Sequence, residues 1–180
     1  MNASVKVSTK LLSLVMSIGS NTLAAVSREA LQSPTMQNIP ATNLSKSKIT
    51  LLAITPDRGD CQSLTQILDD ARWTVHEASS YREATRLIHE SDPDVIVCER
   101  DLPDGSWKDV FREAVAVGNA APVVVVSRQA DDRFWAEVLN LGGYDVLLKP
   151  FEYTEVRRVM NMASRDRSRV RHAALEPAVA

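Results

Sequence analysis

The run Val95-Ile96-Val97-Cys98 constrains the fold more than any other stretch of the chain. It is too short for a helix, and its β-branched residues suit a strand buried on both faces. It then breaks into acid and turn chemistry: Glu99, Asp101, Pro103 and the pair Asp104-Gly105. A parallel strand that ends this way delivers a carboxylate to the carboxyl edge of its sheet, where open α/β folds place their sites. Glu99 is therefore the first candidate functional residue.

The surrounding texture supports a parallel sheet. Strand-like runs at Ile49–Ile54, Trp73–Glu77, Val95–Cys98, Val123–Val126 and Tyr144–Leu148 alternate with helical periodicities. The first helix is expected from about Gly59 to Ala71, with Leu64, Ile67, Leu68 and Ala71 on one face. Ser80 is placed to cap the second, and Asp92-Pro93 to stop it. The third is expected over about Trp107–Val117 and the fourth over about Asp131–Leu141, closed by Gly142-Gly143. The fifth begins near Glu152, with Val156, Val159, Met160 and Ala163 inward. Alternation at these lengths implies right-handed crossovers and a three-layer α/β sandwich, a (βα)5 unit around a five-stranded parallel sheet.

Domain organisation follows from composition. Residues 1–47 are rich in Ser, Thr, Asn and Gln and read as a flexible extension; residues 48–163 carry the folded pattern; residues 164–180 form an Arg-rich tail. That tail reads as a frayed continuation of the fifth helix or as disorder. Leu11, Leu14, Val15 and Ile18 make a short apolar stripe in the extension, with a faint likeness to a signal peptide. Its apolar centre is diluted by Ser13, Ser17 and Gly19, so a cytoplasmic location is the preferred expectation, and Met36 is an alternative start. No run approaches the roughly 18 apolar residues of a membrane span, so no membrane is expected as a partner. Two cysteines are too few for a disulfide framework. A net charge of -2 carries no global signature of nucleic-acid binding.

Glu99, Ser127 after the fourth strand and Lys149-Pro150-Phe151 after the fifth converge on one sheet edge. With Leu102-Pro103-Asp104-Gly105 and Gly142-Gly143-Tyr144-Asp145-Val146-Leu147-Leu148-Lys149-Pro150-Phe151, the chain resembles the receiver domain of bacterial two-component response regulators. The resemblance covers about Lys48 to Ala163 and implies the flavodoxin-like fold. It also implies a phosphoryl acceptor after the third strand, a pair of acids after the first that hold Mg2+, and a Ser or Thr with a Lys that bind phosphoryl oxygens. Ser127 and Lys149 match the last two positions. The acceptor position holds Glu99 instead of aspartate, and the acid-pair positions hold Thr55 and Pro56, with Asp57 one place further on. Proline offers no side-chain ligand and threonine no anion, so the Mg2+ site is expected to be lost and no cofactor or other metal is expected.

Two further departures bear on function. Arg128 stands where the family has a small residue; it could cover the pocket, pair with Glu99 through its guanidinium fork, or point to solvent, and the sequence does not choose among these. Val146 occupies the position of the family's switch aromatic, and Tyr144, two residues away, is expected on the same side of the strand. His76, His89 and His172 are scattered, and no Gly-rich phosphate loop or hydrolase triad is present.

The resulting expectation is a receiver-type signalling protein, not an enzyme. It would act by protein–protein contact independently of phosphorylation, with Glu99 standing in for the charge of an acyl phosphate. Its partner would be a histidine kinase or a downstream effector, or a second copy meeting it across the face of the fourth helix, fifth strand and fifth helix. Glu137, Arg157 and Arg158 would supply the polar rim of that face. A residual phosphoacceptor at Glu99 or Asp101 is the first alternative. The second is a receiver platform whose tail, Arg165 to Arg171, binds nucleic acid; nucleic acid is not expected as the main partner.

Overall fold

The structure is a computed structural model that describes residues 48–175, with side chains through Arg171. The extension expected over 1–47, its apolar stripe and the last five residues lie outside the described part. Five parallel strands form one sheet: β1 (Ile49–Ile54), β2 (Trp73–Ala78), β3 (Val95–Glu99), β4 (Val123–Ser127) and β5 (Asp145–Leu148). Their order is β2-β1-β3-β4-β5, which buries β1, β3 and β4 between neighbours and makes β3 central. Five helices cross between them: α1 (Arg58–Ile67), α2 (Tyr81–Ser91), α3 (Trp107–Ala116), α4 (Asp132–Asn140) and α5 (Tyr153–Leu175). The expected flavodoxin-like sandwich is the observed fold.

Strand alternation sorts the core into two layers. Leu52, Ile54, Ile96, Cys98, Val123, Val125 and Val146 face α2, α3 and α4, where Ala84, Ile88, Trp107, Val110 and Val138 meet them. Leu51, Ala53, Val95, Val97, Val124, Val126 and Leu147 face α1 and α5, against Leu64, Val156, Val159 and Met160. A central strand apolar on both faces, as Val95–Cys98 is, belongs between such layers.

Local chemistry sets the element ends. Ser80 accepts the Glu83 N–H at the start of α2, and Asp92 ends that helix in the left-handed region at φ 42°. Asp131 caps α4, and Gly142 leaves it at φ 97°, with no room for a Cβ beside the Phe111 ring. After β3 the chain makes a miniature hairpin, Asp101–Leu102 against Gly105–Ser106. Asp104 at its turn accepts the N–H groups of Tyr81 and Arg82 at 2.6 and 3.1 Å, filling orphan donors in the first turn of α2. The hairpin's other end bonds back through the Trp107 N–H to the Arg100 carbonyl at 3.1 Å.

Two helices depart from the expected lengths. α1 stops at Ile67, four residues short of Ala71, because the Asp70 carboxylate draws the Arg72 N–H into a local turn at 2.9 Å. α5 runs on to Leu175, so the Arg-rich stretch is regular helix there and not frayed chain. Arg167 reaches Asp92 at 3.4 Å and Arg171 reaches Asp94 at 2.6 Å as well as Asp92, which holds this end of α5 to the loop that precedes β3.

Candidate functional site

The carboxyl ends of β1, β3, β4 and β5 bring the expected residues to one edge, and Lys149 is the centre of the arrangement. Its side chain is 5% exposed, in line after β5, and its backbone N–H donates to the Ser127 carbonyl at 3.0 Å. The Lys149–Pro150 peptide is cis. The ammonium donates to Glu99 Oε2 and, at 2.5 Å, to Asp60 Oδ2. Glu99 and Asp60 are themselves only 16% and 15% exposed. Burial alone would pull Lys149 below its usual pKa, but the hydrogen bonds and charges of the two carboxylates outweigh it and hold the amine above that value.

Asp60 is the residue that sequence reasoning missed. It lies in the first turn of α1, where an acid is ordinarily read as a complement to the helix dipole. A second signal was available, since the first turn of α1 follows β1 and opens on the same edge as Glu99.

The remaining predicted residues are placed differently from one another. Thr55 is buried, 5% exposed, and its hydroxyl accepts the Asp57 N–H at 3.2 Å. Pro56 is exposed. Asp57 caps α1 by accepting the Gly59 N–H at 2.9 Å. Arg128 neither pairs with Glu99 nor closes over it: its guanidinium donates to Asp57 Oδ2 at 3.2 Å, and its side chain stays 71% exposed. The choice is electrostatic, because Glu99 already has Lys149 while Asp57 has no other cation among the described residues. Ser127 is buried, with its hydroxyl donating to the Gln129 carbonyl at 2.8 Å and accepting the Gln129 N–H at 3.2 Å. Asp101, the alternative acceptor, is exposed and paired with Arg100 at 2.7 Å. The Arg100 guanidinium also lies 5.4 Å from the centre of the Phe134 ring of α4.

Val146 is buried in the layer under α3 and α4. Tyr144 is not on its side of the sheet. The residue precedes β5, packs against the α1–α5 layer, and donates its hydroxyl to Asp166 Oδ2 at 2.7 Å. The two-residue spacing fails because regular alternation begins only at Asp145.

The donor set does not suit Mg2+, which needs near-octahedral oxygen ligands including carboxylate. Thr55 and Asp57 are engaged in the α1 turn and Pro56 offers no side-chain ligand, while Asp60 and Glu99 share an ammonium. No group of three or more His, Cys, Asp or Glu side chains gathers as a ligand set among the described residues. No described helix is long and apolar enough to cross a membrane.

This sheet order, with a buried lysine and an acid facing each other across the carboxyl edge, defines a receiver-type signalling domain. The chain belongs to the family described as the response regulator receiver domain, which matches residues 53–161. It is 26% identical over 103 residues to the chemotaxis protein CheY of Thermotoga maritima, covering 57% of this chain and 86% of that one. It is 22% identical over 120 residues to the transcriptional regulatory protein ZraR of Escherichia coli, covering 67% of this chain and 27% of ZraR. The chain therefore spans about a quarter of that regulator's length. Among solved structures, the signal receiver domain of an HD domain-containing protein from Pseudomonas fluorescens superposes with a TM-score of 0.63 at 19% identity, over 69% of this chain and 93% of the other. CheY4 of Vibrio cholerae gives 0.60 at 18% identity, over 65% of this chain and 99% of the other.

Proposed function

We propose that this receiver domain signals without phosphoryl transfer, its carboxyl edge fixed by an internal salt bridge. The observation that carries the reading is Lys149 held between Glu99 and Asp60. In a working receiver the lysine has to be available to an incoming phosphoryl oxygen. Here its ammonium is already neutralised by two carboxylates, and moving it off them would expose two partly buried anions. Glu99 carries its charge one methylene further out than aspartate would, which suits it to hold Lys149 permanently. The lost Mg2+ ligands at Thr55 and Pro56 point the same way.

Function would then rest on contact with another protein in two-component signalling, a kinase or an effector, and not on catalysis. The face of α4, β5 and α5 suits this role, since β5 is an edge strand and Leu141, Leu148 and Tyr153 are exposed there. Of the charged residues expected at its rim, Glu137 pairs with Lys108 at 2.5 Å, and Arg157 turns towards α1, donating to Asp70 and the Ile67 carbonyl.

The test is a Mg2+ titration with acetyl phosphate or beryllofluoride, read by amide NMR at Glu99, Ser127 and Lys149. Unchanged shifts at those amides are expected. A saturable, metal-dependent shift centred on them would overturn the reading and return the protein to the phosphoacceptor class.

A further inference from the structure

The outer half of α5 uses its arginines in two ways. Arg167 and Arg171 are spent on Asp92 and Asp94. Arg165 and Arg169, one helical turn apart on the neighbouring strip, meet Arg72 around an open cavity of about 290 Å3. Ile49 at the start of β1 forms an apolar part of its wall, and no carboxylate lines it.

The three guanidiniums reach this cavity from two separate elements. Arg72, in the turn before β2, is fixed by Asp70 at 3.3 Å and by Asn161 of α5 at 3.2 Å. Asp70 is shared with Arg157, so one acid serves two arginines. Arg169 is 81% exposed and touches Asp166 at 3.2 Å, while the other oxygen of Asp166 takes the Tyr144 hydroxyl. Arg165 is exposed and forms no ion pair among the described residues. Like charges four apart on a helix repel, and here a third joins them across the cavity. An oxyanion between them would supply the counter-charge that Arg165 lacks among the described residues and add to those of Arg72 and Arg169, and the planar fork of arginine matches phosphate oxygens in pairs.

We propose that this cavity binds a small ligand through a phosphate or diphosphate group, held by Arg72, Arg165 and Arg169. The volume is at the lower end for small-molecule sites, about 300 Å3 and upward, and larger than one phosphate needs. The cavity lies at the amino edge of the sheet, across the domain from Lys149, so the proposal is independent of the state of Glu99.

Pyrophosphate titrated into the full chain, by calorimetry and by amide NMR, tests it. Saturable binding is expected, with shifts centred on Ile49, Arg72 and residues 161–169. The affinity should fall about tenfold or more in Arg165→Gln/Arg169→Gln and hold in Arg133→Gln, an exposed arginine of α4. No saturable binding by the parent protein, or an equal loss in the Arg133 control, overturns the proposal. An oligonucleotide that binds through the same arginines where pyrophosphate does not also overturns it, in favour of a nucleic-acid surface.

Discussion

Lys149 and Asp60 lie 89 residues apart in the chain, yet their charged ends meet at 2.5 Å inside the carboxyl edge of the sheet. Removing one member of a buried ionic cluster leaves the others without counter-charge. Lys149→Met should therefore lower unfolding stability by about 3–5 kcal/mol. Glu99→Gln should cost less, about 1–3 kcal/mol, because Asp60 keeps the ammonium. Urea unfolding of the two variants checks the order, and equal losses would mean that Asp60 contributes nothing. In Lys149→Met, added Mg2+ should also raise Tm more than it does in the parent, since two carboxylates are left to attract it.

Acid should act through the start of α3. Asp109 accepts the Ser106 hydroxyl at 2.7 Å and its backbone N–H at 2.9 Å, and these bonds hold the carboxyl below its ordinary pKa. A depressed carboxylate contributes stability that is present above its unfolded pKa and lost as pH falls through the folded value. Asp109→Ala should cost about 1 kcal/mol at neutral pH. The gap from the parent should close as pH drops below about 4. A gap that persists at low pH would assign the loss to packing instead of charge.

The two arginines on the Asp92 loop should behave unequally. Arg167 is 7% exposed at its side chain, makes one long contact to Asp92, and has a buried Nε without a hydrogen-bond partner among the described residues. Arg171 reaches both Asp92 and Asp94, and Asp94 also accepts the Thr50 N–H of β1 at 2.9 Å. Arg171→Ala should destabilise by about 1 kcal/mol, more at low salt than at high salt. Arg167→Met should be nearly neutral, because a buried, poorly satisfied ion pair is often replaced by an apolar side chain without loss. Thermal melts of both variants decide it, and the reverse order would show that the buried guanidinium stabilises the fold.

Strands and the sheet edge were legible because burial on two faces leaves so direct a mark on composition: Val95–Cys98 and Val123–Val126 have no other good reading. Ser127 and Lys149 drew notice through their places at the ends of β4 and β5 together with the resemblance to receiver domains. Asp60 escaped because one acid at a helix start looks like a dipole complement, and only the tertiary fold brings it to Lys149. The partner of Arg128 was missed for a related reason. Which carboxylate an exposed guanidinium takes depends on which is already satisfied, and that is a property of the whole cluster. The regular helix beyond Ala163 was hidden by its polarity. Its inward contacts are polar, Arg167 and Arg171 on acids and Asp166 on the Tyr144 hydroxyl, and these leave no apolar period to read.

The Asp104 carboxylate has a mechanical consequence. By gripping the first two N–H groups of α2, it makes the hairpin after β3 and the head of that helix a single strut. The strut is anchored at its far end by the bond from Trp107 to Arg100, the neighbour of Glu99. A protein that pushed on Tyr81 would load the backbone beside Glu99 directly, and one that pulled Lys149 away would unload it. Through this strut the head of α2 is joined mechanically to the carboxyl edge.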